Sequence, residues 1–197
     1  MHNKNSPWYS LGLKYGFPNI YWTETVSDYI IATPINTYSN IFYILAGLLC
    51  LDNFMFGIAV IILGFSSSMY HCSVIYPCQL MDISSMSLVF SIMTSQQLEL
   101  SEYYTYLVIL LYQLQLFLFV KYKIPLQYNS ITNISSIILT IPEYNMYVYL
   151  SLSMFLFGLL NSYLDIHYKY IYGHAVWHLF TALSLYTWNL SQEKYIL

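Results

Sequence analysis

Tyr128-Asn129-Ser130-Ile131-Thr132-Asn133-Ile134-Ser135-Ser136-Ile137-Ile138-Leu139-Thr140-Ile141 is the stretch on which the number of helices turns. It has no charged residue, yet it is short beside the about 20 residues that carry a helix across a bilayer. Ser130, Thr132, Asn133, Ser135 and Ser136 interrupt its apolar side chains. Hydropathy alone therefore leaves the count of membrane helices between six and seven.

The sequence on either side is easier to read. Of 197 residues, 58% are hydrophobic and only 8% carry charge, as six Lys, nine Asp or Glu and no Arg. An ordinary soluble domain is about a quarter charged, so this composition does not support the usual wet surface. The charges fall in clusters, and between them lie runs free of Asp, Glu, Lys and Arg, such as 29–51, 53–81, 103–120 and 144–164. Candidate spans are 36–51, 54–72, 80–98, 103–120, 128–141, 144–164 and 171–190, with Pro, Asn, Gly or a charge pair near most boundaries. The expected fold is an all-α polytopic membrane protein, a bundle of seven transmembrane helices. It forms a single domain over 1–197, with a polar cap over 1–30. The first 20 residues lack a continuous apolar core and a small-residue cleavage site, so they do not read as a cleaved leader.

Composition excludes other classes. A net charge of −3 without Arg offers no basic surface to a phosphate backbone, so no nucleic-acid partner is expected. Cys50, Cys72 and Cys78 form no C-x-x-C pair and are too few for a disulfide framework. The 23 Tyr, many near span ends, fit interfacial anchors.

Lysine placement chooses between six and seven. With seven spans, Lys4, Lys14, Lys121, Lys123 and Lys169 share one side, which the positive-inside rule makes cytoplasmic. Titratable residues at membrane depth make the same choice. A carboxylate at a helix centre costs about 2.5–3.5 kcal/mol even on lenient scales, so His71, Asp82, His174 and His178 need partners or a purpose. Seven spans put all four in one layer at the lysine-bearing face.

His174 and His178 are four apart, so both rings project from one helix face, the geometry two imidazoles need to share a metal ion. Histidines hydrogen-bonded to backbone or Tyr would show the same spacing. Ser67 lies four residues before His71 on the same face, and Asp82 follows a turn that contains Pro77. Ser66, Ser67 and Ser68 also suit helix packing in membranes, and Asp82 also suits a helix cap. Three His with an open fourth position match a catalytic zinc. Beside it Asp82 would move the proton from attacking water to the leaving group, and Ser67 would support the oxyanion. A Ser67-His71-Asp82 triad is the competing chemistry, but Gly64-Phe65-Ser66-Ser67-Ser68 lacks the G-x-S-x-G elbow, and it leaves His174 and His178 idle.

These residues resemble the alkaline ceramidases and their relatives in the CREST superfamily of seven-helix membrane hydrolases, nearest to the shorter microbial-type members. Three separated motifs carry the resemblance. The first is Tyr21-Trp22-Thr23-Glu24 with Ala32-Thr33-Pro34-Ile35-Asn36-Thr37-Tyr38-Ser39-Asn40. The second is Ser67, His71 and Asp82, and the third is Gly173-His174-Ala175-Val176-Trp177-His178. The resemblance implies zinc on His71, His174 and His178, with Asp82 as general base and acid. It also implies Ser67 at the oxyanion, and hydrolysis of a ceramide-like lipid to fatty acid and sphingoid base. Departures fall in the first motif. Tyr21 and Thr23 replace an acid and a cysteine, and Thr33 replaces a glutamate. Only Glu24 survives of the family's calcium site, so neither Ca2+ nor the family's disulfide carries over.

Asn36, Ser39 and Asn40 form an i, i+3, i+4 stripe that would face the bundle interior, for hydrogen bonding or for substrate. Asp165 is a candidate to hold a ligand histidine through its ring, or is a loop-boundary acid. The expected activity is hydrolysis of a lipid amide in an integral membrane setting, the endoplasmic reticulum or Golgi of a eukaryote or the cell membrane of a bacterium. A related lipid ester hydrolase and a seven-helix receptor with structural zinc are the alternatives.

Overall fold

The computed structural model describes residues 4–18, 23–140, 145–170 and 172–193. Tyr21 and Trp22 of the first motif lie outside these. The described residues form helices and connecting turns, with no strand. In chain order the helices are α1 (Tyr9–Tyr15), α2 (Pro34–Ser39), α3 (Ile41–Leu49), α4 (Phe54–Ser73), α5 (Tyr76–Gln97), α6 (Glu102–Lys121), α7 (Gln127–Thr140), α8 (Met146–Tyr168) and α9 (Gly173–Glu193).

Among the described residues each expected segment is largely helical, but the expectation of seven spans holds only in a coarser form. Three helices among the described residues, α4, α6 and α8, are both long and apolar enough to cross a membrane. The difference has a physical source. Helix α5 packs against α4, α6 and α7, so Ser85, Ser87, Ser91, Thr94 and Ser95 are buried within the bundle instead of meeting lipid. Helix α7 is short and polar, and α9 carries His174, His178, Thr181, Ser184 and Thr187 on buried positions.

The first expected span is divided at Asn40. Its Nδ2 donates to the Asn36 carbonyl at 2.8 Å, the acceptor that its own N–H would use in an unbroken α-helix. The Asn40 N–H turns instead to the Thr37 carbonyl at 3.4 Å. The two pieces keep a common packing on α4, where Gly47 meets Gly57. A Cβ on Gly47 would sit 2.7 Å from the Gly57 carbonyl oxygen, so only glycine permits this approach.

The core runs along α3, α4, α5 and α9, with Phe56, Val60, Val89, Ala182 and Trp188 almost wholly buried. Helix α8 packs along α9, which in turn lies against α2 and α3. The N-terminal segment folds back over the end of the bundle where α4 stops and α5 and α9 begin. The Tyr76 N–H donates to the Gly16 carbonyl at 3.0 Å, and the Ala32 N–H to the Cys72 carbonyl at 2.8 Å.

Candidate metal centre

His71 lies in the last turn of α4, while His174 and His178 occupy the first turns of α9. The three imidazoles are buried, and one nitrogen from each lies within 4.8 Å of the others. His71 Nε2 and His174 Nε2 are 3.0 Å apart, and the His174 and His178 ring centroids 4.4 Å apart. This cluster can hold a metal ion.

Ser39 stands behind His178. Its hydroxyl has one proton, which it donates to the Asn36 carbonyl at 2.9 Å. The 2.7 Å contact between Ser39 Oγ and His178 Nδ1 then has the ring as donor, and the Asn36 carbonyl also accepts from this ring. With the proton on Nδ1, the lone pair of His178 lies on Nε2. Sequence reading placed Ser39 in a structural stripe, and its role behind His178 was missed. Its i+3 relation to Asn36 gave the common face but not what that face would meet.

Asp165 is fully buried and acts differently from expectation. Its Oδ2 accepts from the backbone N–H of His174 at 2.9 Å, not from a histidine ring, and its Oδ1 accepts from the Thr23 N–H at 2.7 Å. It therefore holds the start of α9 through the main chain. Gly173 makes this possible, because a Cβ there would sit 2.3 Å from the Asn161 carbonyl oxygen and 2.9 Å from Asp165 Cβ. The glycine that opens the third motif is the contact surface between α8 and α9.

The N-terminal segment reaches each histidine. Thr23 holds Asp165, which holds His174, and the Thr23 hydroxyl donates to the Asp165 carbonyl at 2.6 Å. Thr33 donates to the His71 carbonyl twice, from N–H at 3.1 Å and from its hydroxyl at 2.8 Å. Glu24 accepts from the N–H groups of Ile35 and Asn36 at 2.7 and 2.8 Å, and so sets the start of α2, which carries Ser39 to His178. Burial pushes the Glu24 carboxyl above its ordinary range and Asp165 adds to the shift, while the Asn36 and Ile35 N–H groups oppose it. Sequence reading made this region a cap, but in the structure it is the outer wall of the histidine cluster.

A cavity of about 340 Å³ opens in front of the cluster. Its walls include Ser67, Asp82, His174 and His178 together with apolar residues of α4, α5, α7, α8 and α9 such as Leu63, Phe90, Ile134, Phe155 and Trp177. Ser67 is hydrogen-bonded to the Asp82 carboxyl. Ser67, His71, Asp82, His174 and His178 thus come together from α4, α5 and α9. Glu24 and Asp165 lie behind the cluster and do not line the cavity.

No family model matches the chain, and no curated protein matches it. The geometry by itself defines an all-helical protein with apolar helices of membrane-crossing length and a buried three-histidine cluster able to take a metal ion.

Proposed function

We propose that this chain is a seven-helix integral membrane hydrolase that uses zinc to cleave the amide bond of a ceramide-like lipid, similar to the alkaline ceramidases that its motifs resemble. The observation that carries the reading is the convergence of Ser67, Asp82, His174 and His178 on one largely apolar cavity, with His71 against His174. In this reading α2 with α3, and then α4 to α9, make the seven passes. Helices α5 and α9 tolerate polar residues because these face neighbours within the bundle. Helix α7 is about 21 Å long, a mismatch with the hydrocarbon that local thinning of the bilayer accommodates. The metal end carries Lys4, Lys14, Lys121, Lys123 and Lys169 and faces the cytoplasm.

The donor set suits zinc. Two nitrogens at 2.0–2.1 Å from one tetrahedral ion lie about 3.3 Å apart, close to the 3.0 Å between His71 and His174. His178 presents Nε2 because Ser39 engages Nδ1. Zinc held by His71, His174 and His178 would supply Lewis-acid chemistry, polarising a carbonyl and making a neighbouring water more acidic.

The chain's own residues do the rest. Asp82 takes a proton from the attacking water as the water oxygen bonds to the carbonyl carbon. It then delivers that proton to the amide nitrogen as the C–N bond breaks, so fatty acid and amine leave together. Ser67 donates to Asp82 while the carboxylate is charged. When Asp82 is protonated the hydroxyl is released to face the developing oxyanion. The apolar wall keeps bulk water out and seats the chains of the lipid.

Release of labelled fatty acid from a ceramide by the purified protein tests this. Asp82→Asn should lower release by about 10²–10⁴-fold with zinc still bound, and His174→Ala should remove both zinc and release. Undiminished release in either variant would sink the assignment. Hydrolysis of matched esters alone would move the assignment to the ester, and bound zinc without turnover of any lipid would favour the receptor.

A further inference from the structure

Gln79 lines the same cavity and has no role in the mechanism above. It is 3% exposed, and its Oε1 is buried without a hydrogen-bond partner in the protein. A buried carbonyl left unpaired costs about 1–3 kcal/mol, and buried polar groups are rarely left so. Most polar side chains buried elsewhere on α5 avoid this cost. Ser85, Ser91, Thr94 and Ser95 each donate to a carbonyl of the preceding turn.

Position decides what Gln79 can meet. It lies three residues before Asp82 on α5, so the two side chains are neighbours on one helix face, with Cβ atoms about 5–6 Å apart. The cavity that both line also holds Ser67, His174 and His178. The terminal torsion of Gln is broad, and its amide oxygen and nitrogen exchange places on a half-turn, so a donor in the cavity can draw the oxygen toward itself. A lipid whose scissile carbonyl sits between Asp82 and the histidines places the substituent beside that carbonyl within reach of Gln79.

We propose that Gln79 is a specificity-determining residue: its carboxamide oxygen accepts a hydrogen bond from an N–H or O–H that the lipid carries next to the scissile carbonyl. This rests on the hydrolase reading. A site that offers a buried acceptor rejects an analogue lacking the donor, because the acceptor is then buried unpaired. The substrate class is accordingly a lipid with such a donor beside the bond that breaks, and a simple ester without a nearby hydroxyl is a poor substrate.

The probes are an N-acyl long-chain amino alcohol, its N-methyl amide, its O-methyl ether and the doubly methylated lipid. Wild-type protein should prefer the parent to the doubly methylated lipid by about a hundredfold in kcat/KM. The single methylations show whether N–H or O–H is the donor read. Gln79→Met should bring the preference within about fivefold by losing turnover of the parent while keeping that of the doubly methylated lipid. Gln79→Ala, which places no bulk against Asp82, should do the same if Gln79→Met does not accumulate. Equilibrium binding of the same pair to Asp82→Asn protein, with and without Gln79→Met, reads the preference without turnover. A preference unchanged by the Gln79 substitutions in turnover or binding overturns the proposal. A wild-type protein inert toward every lipid overturns the hydrolase reading instead, and the binding ratio still decides the role of Gln79.

Discussion

Two groups of polar side chains lie inside this bundle, and they are built in opposite ways. Between α5, α6 and α7 the polar atoms satisfy one another. The amides of Asn129 and Asn133 donate to Ser87 Oγ at 2.9 and 3.0 Å, and Gln115 Nε2 reaches Asn129, Thr132 and Asn133. Gln113 and Ser84 exchange a further pair of bonds at 2.7 and 3.0 Å. At the other site the support comes from behind, through the main chain of His71 and His174 and the Nδ1 of His178. Polar groups whose bonds close on one another hold helices together. Polar groups held from behind keep their front atoms for something that is not protein.

That contrast makes substitutions behind the histidines consequential, and Gly173→Ala should be the most damaging of those that leave the histidines in place. The added Cβ would meet Asn161 and Asp165 at contact distances that cannot be kept, so α9 must shift on α8. Overpacking of this kind costs about 1–3 kcal/mol, and the shift carries His174 away from His71. The expected result is a lowered unfolding temperature together with loss of bound metal. A variant with a full metal complement would show that the close contact at Gly173 serves packing alone.

Ser39→Ala probes the same support with less force. Removing a partner behind a ligand histidine typically costs 10–100-fold in metal affinity. Here the effect should lie near tenfold, because the Asn36 carbonyl still accepts from the His178 ring. Competition with a chelator measures it, and the unfolding temperature of the metal-free protein should stay near that of the wild type. An unchanged metal affinity would mean that Ser39 does not set the tautomer of His178.

Much of this was legible in the sequence, for reasons that differ from residue to residue. Some helix boundaries follow from charge, since a charged group ends an apolar run, and 103–120 became Glu102–Lys121. Others follow from turn residues: 54–72 became Phe54–Ser73, which stops at a left-handed Val74 shortly before Pro77. His174 and His178 were legible because a spacing of four fixes a common face, and His71 and Asp82 because a titratable group at membrane depth is conspicuous. What sequence does not carry is which backbone a side chain will meet. Asp165 was read as a candidate partner for a ring or as a loop-boundary acid, and it proved to be a partner for an N–H, because Gly173 brings the main chain of α9 against α8. Thr23 and Thr33 replace residues that the resembled family uses otherwise, and as threonines they gave no sign of tying the N-terminal segment to Asp165 and His71. Gln79 was passed over because an amide near the start of a helix looks like surface.

Helix α7 offers the smallest expected effect and the sharpest test of the contrast. Its 14 residues have too little apolar surface to hold a place in the bundle by burial alone, and its amides against Ser87 and Gln115 supply the rest. Hydrogen bonds between membrane helices average only about 0.6 kcal/mol, because an unfolded helix in lipid also finds partners. Asn133→Leu removes the bonds to Ser87 and Gln115, but Asn129 still reaches both. The loss should therefore be about 1 kcal/mol or less in unfolding free energy, with metal binding untouched. Combining it with Ser87→Ala should give a coupling of similar size, since the two residues share one bond. Helix α7 also contributes Ser130, Ile131 and Ile134 to the wall of the cavity in front of the histidine cluster. If Asn133→Leu left stability intact but abolished hydrolysis, the network could not be a closed brace. It would instead be setting the position of the cavity wall, and the separation between polar groups that hold and polar groups that act would fail at α7.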